Sequence, residues 1–320
     1  MSLGVVIIGL GQIGMGYDLG LPVDSYVMTH ARAFQNHPDF ILLGGVDVDA
    51  KRRSVFEKEY GCKAFADIDS ALKSLLPDVV VISVPTEFHL NAVKSVFNAC
   101  SPKAILCEKP LAYELADARQ IDSLCKEHHC QLFVNYIRRA DPGVLEVKGR
   151  LEKGLITCPV KGVAWYSKGL FNNGSHFVDL LTFWLGPIQS FNVLRNGRKW
   201  GGIDPEPDFS MSFAKGEIYF MAAQEENFSH YSVELIAPSG RLRYERGGEY
   251  IAWQSAVKNS LLPEYTSLSM EEEIIPNDLL MIQSYIANQL AMSMKGQYGG
   301  ICSGEEAIQV LECLSQLKEM

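Results

Sequence analysis

Short apolar runs alternate with amphipathic stretches over the first 137 residues of the chain. Runs such as 79–83 (VVVIS) and 104–107 (AILC) are apolar along nearly their whole length. This is typical of strands that are covered on both faces, as in parallel sheets. Alternation of strands and helices with right-handed crossovers therefore predicts a doubly wound α/β domain over residues 1–137. The predicted strands are 4–9, 40–47, 62–65, 79–83, 104–107 and 132–135, and the predicted helices are 29–36, 49–60, 67–75, 88–99 and 113–127.

The pattern changes after about Arg139, where the segments become longer and richer in strand-forming residues. Asp141-Pro142-Gly143 is a break, and residues 144–153 then follow a helical period. Polar and apolar residues alternate in 217–223 and 231–236, as in an antiparallel sheet with one packed face. We therefore expect a second domain over residues 138–320, of the α+β class with a mainly antiparallel sheet. Its other predicted strands are 160–167, 190–194, 211–213 and 241–246, followed by helices at 278–293 and 304–318.

The charge balance excludes some classes of partner. The 320 residues carry 29 Lys and Arg against 38 Asp and Glu, a formal net charge of −9. Binding to nucleic acids and anionic membranes depends on clustered basic residues, so we expect neither partner. The longest apolar runs fall far short of the ~20 residues of a transmembrane helix, and the N-terminus lacks the features of a secretory signal. The protein is therefore expected in the cytoplasm, with its eight cysteines as reduced thiols.

A glycine-rich loop follows the first predicted strand. Gly9-Leu10-Gly11-Gln12-Ile13-Gly14 fits the pattern G-x-G-x-x-G at the first turn of a strand–helix series. In a dinucleotide-binding Rossmann domain the first glycine permits the tight turn, and the second lets the backbone approach the pyrophosphate. The third allows close packing of helix and strand, and helix-terminal N–H groups donate to the phosphates. The loop thus predicts a dinucleotide site, and the alternative is a glycine-rich turn without a ligand.

The acidic residue expected on the adenosine ribose is Asp47, at the end of the second predicted strand. It comes later than the usual ~20 residues after the glycines, which is explained if residues 16–28 form a loop before the first helix. A carboxylate at this position accepts both ribose hydroxyls and repels a 2′-phosphate, which favours NAD over NADP. Two alternatives remain open. Asp49 could serve as the cap of the next helix, and the basic residues 51–53 could hold a phosphate.

The segment after the fifth predicted strand, Cys107-Glu108-Lys109-Pro110, carries a family resemblance. It resembles the strand-terminal Glu-Lys-Pro of the glucose–fructose oxidoreductase, inositol dehydrogenase and rhizopine-catabolism (Gfo/Idh/MocA) family. Pro85-Thr86-Glu87-Phe88-His89 looks like the family's Pro-x-x-x-His loop. Asn135-Tyr136-Ile137-Arg138-Arg139 and Gly174-Ser175-His176-Phe177-Val178-Asp179 look like its Tyr-x-Arg-Arg crossover and its Gly-x-His-x-x-Asp helix start.

The resemblance implies an NAD(P)-dependent oxidoreductase acting on a secondary alcohol of a sugar, cyclitol or nucleotide sugar. A hydride would pass between this alcohol and the nicotinamide. The resemblance also implies a large open sheet in the second domain, through which family members often form homo-oligomers. It assigns Lys109 and His176 as the catalytic pair, Pro85, His89 and Glu108 as cofactor-binding residues, and Lys109, Asn172, His176 and Arg139 as substrate-binding residues.

Alcohol oxidation removes a hydride from carbon and a proton from oxygen, so the protein must supply a proton acceptor. His176 suits this role because the unperturbed pKa of imidazole, about 6.5, lies near the working pH. The ammonium group of Lys109 would favour the developing alkoxide. One position departs from the family, which usually has Asp four residues before the histidine, where this chain has Asn172. An asparagine can orient a hydroxyl or the imidazole, but it cannot take up a proton.

Each of these residues also has a structural interpretation. Glu108-Lys109 could form an ordinary charged turn after a strand. His176 could belong to a helix cap, with Ser175 or Asn173 as the capping residue. The arginines at 138 and 139 favour structural ion pairs over contacts with a substrate.

Two further questions concern metals and the type of activity. Cys125-Lys126-Glu127-His128-His129-Cys130 has the residue types of a zinc site but lacks a second ligand pair at finger spacing, so no metal is predicted. NAD could also be retained for a redox-neutral reaction such as glycoside cleavage. A third alternative is a non-catalytic NAD-sensing regulator, although the presence of Lys109 and His176 speaks against it.

Overall fold

The structure is a computed structural model that describes residues 2–319. The described chain divides into two compact units. The first contains the residues up to Ala140 together with Leu280–Leu311, and the second contains Asp141–Leu279 together with the residues from Glu312 onward. The sequence had placed everything from residue 138 in one second domain. Residues Leu280–Leu311 group with the first unit because a strand and a helix within them pack against it.

The strands, in chain order, are β1 (Leu3–Ile8), β2 (Phe40–Val46), β3 (Lys63–Phe65), β4 (Val79–Ile82), β5 (Ala104–Cys107), β6 (Gln131–Val134), β7 (Val160–Tyr166), β8 (Ile188–Trp200), β9 (Asp204–Phe213), β10 (Gly216–Ala222), β11 (Ser232–Ala237), β12 (Gly240–Glu245), β13 (Tyr250–Lys258), β14 (Thr266–Leu268), β15 (Glu273–Ile274) and β16 (Cys302–Ser303). The α-helices are α1 (His30–Asn36), α2 (Ala50–Tyr60), α3 (Ile68–Leu75), α4 (His89–Ala99), α5 (Leu115–Glu127), α6 (Pro142–Glu152), α7 (Ser175–Leu185), α8 (Ile282–Met294) and α9 (Gly304–Glu319).

The first unit is built on a sheet with the strand order β16-β6-β5-β4-β1-β2-β3. Strands β1 to β6 run parallel, and β16 pairs antiparallel with β6. Strands β1, β4 and β5 are almost completely buried, which explains why their sequences are apolar throughout. The strand order reverses between β1 and β4, and in open α/β sheets ligands bind at the carboxyl ends of the strands at such a point. The predicted doubly wound α/β domain is confirmed.

The second unit contains a larger sheet in the order β14-β13-β12-β11-β7-β10-β9-β8, and β15 also pairs with β13. Its neighbours are antiparallel except for β7 and β10, which run parallel. Along β7, buried and exposed residues alternate strictly, so one face of the sheet is packed. The predicted α+β class with a mainly antiparallel sheet is confirmed.

Several segment boundaries in the second unit differ from the prediction. Strand β8 extends to Trp200 instead of ending at residue 194, because its polar, exposed second half pairs with β9. Strand β13 was not predicted, since its consecutive buried residues 251–253 break the polar–apolar alternation. The break at Asp141-Pro142-Gly143 is the start of α6, where the Asp141 carboxylate accepts from the N–H of Gly143 at 2.9 Å. Within residues 2–319, the helices are all too short or too polar to cross a membrane.

Candidate functional site

A cavity of about 970 Å³ lies in the first unit, at the carboxyl ends of β1, β2, β4 and β5. Four segments that the sequence predicted as functional meet at its wall. The predicted residues that line it are Gly9, Gly11, Gln12, Ile13, Asp47, Pro85, His89, Glu108 and Lys109. The fold therefore brings together segments that are up to 100 residues apart in the chain.

The three glycines of the loop have different surroundings. Gly9 has a φ of +100°, and a Cβ there would lie 2.6 Å from the main chain of Ser83. A Cβ on Gly14 would lie 2.1 Å from the carbonyl oxygen of Gly9. At Gly11, by contrast, the nearest atom is a guanidinium nitrogen of Arg52 at 4.0 Å. Two glycines thus permit close packing of the backbone, whereas the middle one leaves open space on the cavity side.

The chain after the loop forms only a short helical turn, Gln12–Gly16, and residues 17–29 contain no helix before α1. The long connection inferred from the late position of Asp47 is present. The first N–H groups of a helical turn have no acceptor within the turn, so they remain available to a ligand. Ser83, which the sequence analysis did not single out, donates from its hydroxyl to the carbonyls of Gly9 at 2.8 Å and Ile8 at 3.2 Å. It ties the glycine loop to the end of β4.

Asp47 directly follows β2, and its carboxylate is buried beside the glycine loop. One oxygen, Oδ2, accepts from the N–H of Leu10 at 2.8 Å, and the other, Oδ1, accepts from the N–H of Asp49 at 2.8 Å. Asp49 is the cap of α2, because its own carboxylate accepts from the N–H of Lys51 at 2.7 Å. Asp47 thus lines the cavity, and Asp49 has the role of helix cap that the sequence left open for it.

The basic residues next to Asp47 differ in their contacts. Arg52 lines the cavity, and its Nη1 lies 3.4 Å from Oδ2 of Asp47. Arg53 instead donates to the main-chain carbonyls of Asp47 at 2.8 Å and Val48 at 3.0 Å. Arg52 is therefore the cation in this segment with access to a ligand of the cavity, and Arg53 stabilises the turn.

His89 begins α4, after a short helical turn that follows Pro85. Its ring is buried, with Nδ1 3.1 Å from the carbonyl of Leu111 and Nε2 3.0 Å from the carbonyl of Val84. Burial lowers the pKa of His89. The ring contributes to the cavity wall, but its polar atoms hold two loops together.

Glu108 is held by two side chains that the sequence analysis did not assign. Its Oε1 accepts from Nε2 of His30 at 2.8 Å and from Nδ2 of Asn135 at 2.6 Å. Burial acts to raise the pKa of Glu108, but donation from His30 and Asn135 and the charge of Lys109 outweigh it, so the pKa lies below its ordinary value. These contacts contradict the alternative of an ordinary charged turn, in which the carboxylate would be solvated.

His176 lies in the second unit, at the second residue of α7, and is buried. The residue that precedes the helix as its cap is Gly174, and no side chain caps the helix. The hydroxyl of Ser175 donates to the carbonyl of Phe171 at 2.8 Å instead. The alternative in which Ser175 or Asn173 caps this helix is therefore wrong.

Asn172 lies in the short helical turn Leu170–Gly174 that leads into α7. The N–H groups of Phe171 and Asn172 each donate at 3.0 Å to the carboxylate of Asp204, at the start of β9. Burial raises the pKa of Asp204. The segment before His176 is thus held by a carboxylate more than 30 residues away, which no local sequence pattern could indicate.

A second carboxylate, Glu225, also supports this segment. Its donors are Ser167 Oγ at 2.6 Å, Ser229 Oγ at 2.5 Å, Lys168 Nζ at 3.1 Å and Tyr231 Oη at 3.2 Å. The hydroxyl of Tyr231 in turn accepts from Nδ2 of Asn173 at 3.0 Å. Burial acts to raise the pKa of Glu225, but the hydrogen bonds from Ser167, Ser229 and Lys168 and the charge of Lys168 outweigh it and lower the pKa to about 2.

The depressed pKa of Glu225 predicts a pH-dependent contribution to stability. Because the pKa falls from 4.5 to about 2 on folding, the charged carboxylate stabilises the protein above pH 4.5 and this contribution disappears as the pH falls toward 2. Glu225→Gln should therefore destabilise the protein at pH 7 by about 1–2 kcal/mol, and by progressively less in acid. Melting temperatures of both proteins at several pH values measure this. Glu226→Gln, which removes an exposed partner of Arg198, is the control, and a gap that stays constant down to pH 3 would contradict the prediction.

Arg139, a candidate for contact with the substrate, and His128, a member of the possible zinc cluster, both contact other side chains of the protein. The guanidinium of Arg139 is buried and donates from Nη1 to Glu306 at 2.7 Å, which supports the interpretation as a structural ion pair. The ring of His128 stacks on Phe97, with ring centres 4.3 Å apart. Within residues 2–319, His, Cys, Asp and Glu side chains form no group of three or more that could hold a metal ion.

Comparisons with known proteins agree with this architecture. The sequence profile of the oxidoreductase family with an NAD-binding Rossmann fold matches residues 3–136. An inositol 2-dehydrogenase from Rhizobium meliloti is 26% identical over 156 residues, which are 49% of this chain and 42% of that enzyme. The chain therefore matches less than half the length of this relative.

Solved structures match nearly the whole chain. A proposed NADPH-dependent oxidoreductase from Desulfitobacterium hafniense aligns with a TM-score of 0.78 at 16% identity, over 98% of this chain and 94% of its own. An oxidoreductase from Agrobacterium radiobacter, in complex with NAD⁺, L-tartaric acid and magnesium, aligns with a TM-score of 0.76 at 16% identity, over 98% of this chain and 95% of its own. At this identity the likeness shows a shared fold. Residues 3–136 match the profile of the oxidoreductase family with the NAD-binding Rossmann fold, the family that the motifs of this segment resemble.

Proposed function

We propose that this protein is an NAD-dependent dehydrogenase that acts on a secondary alcohol of a sugar, cyclitol or nucleotide sugar. The observation that carries the proposal is the meeting of the glycine loop, Asp47 and Glu108-Lys109 at one cavity. These residues lie in the part of the chain that matches the family profile. The name of the Rhizobium meliloti relative, an inositol 2-dehydrogenase, supports a polyol as the substrate.

The cavity fits a dinucleotide. Gly11 leaves open space where a diphosphate can approach the backbone, and the N–H groups of Gln12 and Ile13 lie in the first turn after it. Pro85, His89 and Glu108 complete the wall, and Gly9 and Gly14 keep the loop compact. A nicotinamide cofactor bound here would accept or donate a hydride at C4 of its ring.

The cofactor we propose is NAD. The carboxylate of Asp47 lies at the cavity, where it can accept hydrogen bonds from ribose hydroxyls and repel a 2′-phosphate. Arg52 has the opposite preference, but its guanidinium lies 3.4 Å from this carboxylate, whose negative charge opposes the binding of a second anion there. The NAD⁺ complex of the Agrobacterium radiobacter neighbour supports NAD, whereas the name of the Desulfitobacterium hafniense neighbour supports NADPH.

Replacing Asp47 with alanine should therefore narrow the preference for NAD over NADP by about tenfold, which corresponds to about 1.4 kcal/mol. The loss of charge removes the repulsion of a 2′-phosphate and leaves Arg52 free to bind it. Dissociation constants for NADH and NADPH, from fluorescence titration of wild type and variant, measure the change. Asp49→Ala removes an equal charge two residues away, at the cap of α2, and should leave the preference unaltered. If the ratio of the NADH and NADPH dissociation constants is unaltered in Asp47→Ala, a residue other than Asp47 must contact the ribose.

The proposed chemistry divides between two side chains. During oxidation the hydroxyl proton would pass to the imidazole of His176 while the carbinol carbon gives up its hydride to the bound nicotinamide, so that a carbonyl would form. The ammonium of Lys109 stabilises the negative charge that develops on the oxygen. Asn172 cannot take the proton, so we assign it the orientation of a substrate hydroxyl. In the reverse direction His176 returns the proton.

The test is a spectrophotometric assay at 340 nm with NAD or NADP, against a panel of inositols, aldoses, polyols and nucleotide sugars, together with the reverse reaction. Reduction of NAD by members of one of these classes is expected. If no compound changes the absorbance in either direction, the dehydrogenase proposal fails. Conversion of a glycoside without net NADH would select the redox-neutral alternative instead.

We also propose a homo-oligomer formed through the outer face of the second sheet. Exposed apolar side chains lie on this face, among them Val163 and Trp165 of β7 and Ile236 of β11. Strands β7 and β11 are neighbours, and on this face Val163 lies opposite Glu234 and Ile236 lies opposite Lys161. The face therefore combines apolar side chains with charged ones, as protein–protein interfaces do. Light scattering after size-exclusion chromatography gives the molar mass, and a monomer at micromolar concentration would contradict the proposal.

A further inference from the structure

Three polar side chains form a cluster directly behind the cavity wall. Glu108 follows β5 and lines the cavity, His30 is the first residue of α1, and Asn135 follows β6. His30 and Asn135 are 1% and 0% exposed, whereas the Glu108 side chain is 14% exposed. We refer to these three residues as the Glu108 cluster. Glu108 can contact a ligand in the cavity directly. His30 and Asn135 lie behind it and can affect a ligand only through Glu108.

The geometry of the Glu108 cluster shows which of its nitrogen atoms donate hydrogen bonds. A carboxylate can only accept hydrogen bonds, so Nε2 of His30 must carry a hydrogen and Asn135 must present its amide nitrogen. Both donate to the same oxygen, Oε1, at 2.8 Å and 2.6 Å. Two short donors from different elements fix the orientation of the carboxylate. Its other oxygen, Oε2, is then the one that can accept from a ligand in the cavity.

Each donor of the Glu108 cluster also leaves a polar atom buried without a partner. Within residues 2–319, Nδ1 of His30 and Oδ1 of Asn135 are buried and have no hydrogen-bond partner. Such atoms are unfavourable for stability, and a pair of apolar residues of the same shape would avoid this penalty. Packing alone therefore does not account for a histidine and an asparagine at these positions. Their common feature is the hydrogen bond that each donates to Glu108.

We propose that His30 is a positioning residue for the dinucleotide, acting by holding the Glu108 carboxylate in one orientation at the cavity wall. This inference rests on the proposed function, because it assumes that the cavity binds a dinucleotide. The ligand group involved is a hydrogen-bond donor such as a ribose hydroxyl, which Oε2 of Glu108 would accept. Without the donor from His30, the carboxylate keeps one tether, from Asn135, and samples orientations that do not bind the ligand.

The experiment compares His30→Leu, which removes the donor, with His30→Gln, whose amide nitrogen can replace Nε2. Dissociation constants for NADH are measured by fluorescence titration, and melting temperatures are measured on the same samples. We expect His30→Leu to weaken NADH binding by about ten- to a hundredfold, as for a lost hydrogen bond to a charged group. In His30→Gln, affinity should remain within about threefold of the wild type.

The control for a merely structural effect is His37→Leu. His37 directly follows α1, is also buried, and its Nε2 contacts Oδ1 of Asn288 at 2.9 Å, away from Glu108. This variant should lower the melting temperature and leave the NADH affinity unchanged. The inference is overturned if His30→Gln binds as weakly as His30→Leu, or if His37→Leu weakens binding to the same extent. It is also overturned if all variants bind like the wild type. A wild type that binds neither NADH nor NADPH would instead refute the proposed function itself.

Discussion

Replacing Lys109 with alanine is expected to lower kcat by about 10²–10³-fold, and replacing His176 with alanine by about 10²–10⁴-fold. The first variant loses the cation that stabilises the developing alkoxide, and the second loses the proton acceptor. Affinity for NADH should change far less than turnover in both, because the glycine loop and Asp47 remain intact. Steady-state kinetics with the substrate found in the panel, combined with NADH titration, separate the two effects.

The double variant shows whether Lys109 and His176 act in the same step. Residues that act as a unit are strongly non-additive, so Lys109→Ala combined with His176→Ala should cost about as much as the more severe single change. Lys103→Ala is the matched control, because this exposed lysine of the same unit pairs with Asp78 at 2.9 Å. A kcat that stays within about threefold of the wild type in either single variant would remove that residue from the mechanism. Full biological function of the double variant, with intact NAD binding, would favour the NAD-sensing regulator.

Replacing Gly11 with valine is expected to weaken dinucleotide binding by more than about a hundredfold while leaving the fold intact. At this position the nearest atom to an added Cβ is Nη1 of Arg52 at 4.0 Å, so the side chain fits the folded protein. It would, however, fill the space through which a diphosphate approaches the backbone. Isothermal titration with NADH measures the loss, and circular dichroism with a thermal melt verifies the fold.

Two other glycines serve as controls for this variant. Gly149 in α6 has no heavy atom within 4 Å of an added Cβ, so Gly149→Val should affect neither binding nor overall structure. Gly14→Ala would place its Cβ 2.1 Å from the carbonyl oxygen of Gly9, and this variant should lose stability together with binding. If Gly11→Val bound NADH as the wild type does, the assignment of the loop as the phosphate site would be refuted.

The fold of the first unit could be predicted because its strands are buried on both faces. Such strands are apolar along their length, and the observed bounds of β1, β4 and β5 differ from the predicted ones by one residue or none. The second unit was harder to predict. Half of β8 is polar and solvent-exposed, and its pairing with β9 is maintained by backbone hydrogen bonds that leave no hydrophobic pattern.

Some residues of the candidate site could be predicted from the sequence, and others could not. Sequence reasoning found residues that belong to short sequence motifs, such as the glycine loop and Glu108-Lys109-Pro110. It did not find His30, because the contact with Glu108 spans 78 residues and a histidine at a helix start has no distinctive spacing. Asp204 and Glu225 were missed for the same reason, since each supports the His176 segment from another strand or loop.

The position of residues Leu280–Leu311 has a consequence for how the molecule is made. During synthesis the first 140 residues leave the ribosome without the late helix α8 that packs on α1, and without β16 that pairs with β6. Until residues Leu280–Leu311 have been synthesised, β6 is an unpaired edge strand, and unpaired edge strands can pair with strands of other chains. A fragment of the first unit cut near residue 140 would keep this edge exposed, so a useful fragment has to include residues Leu280–Leu311, for example through a circular permutation.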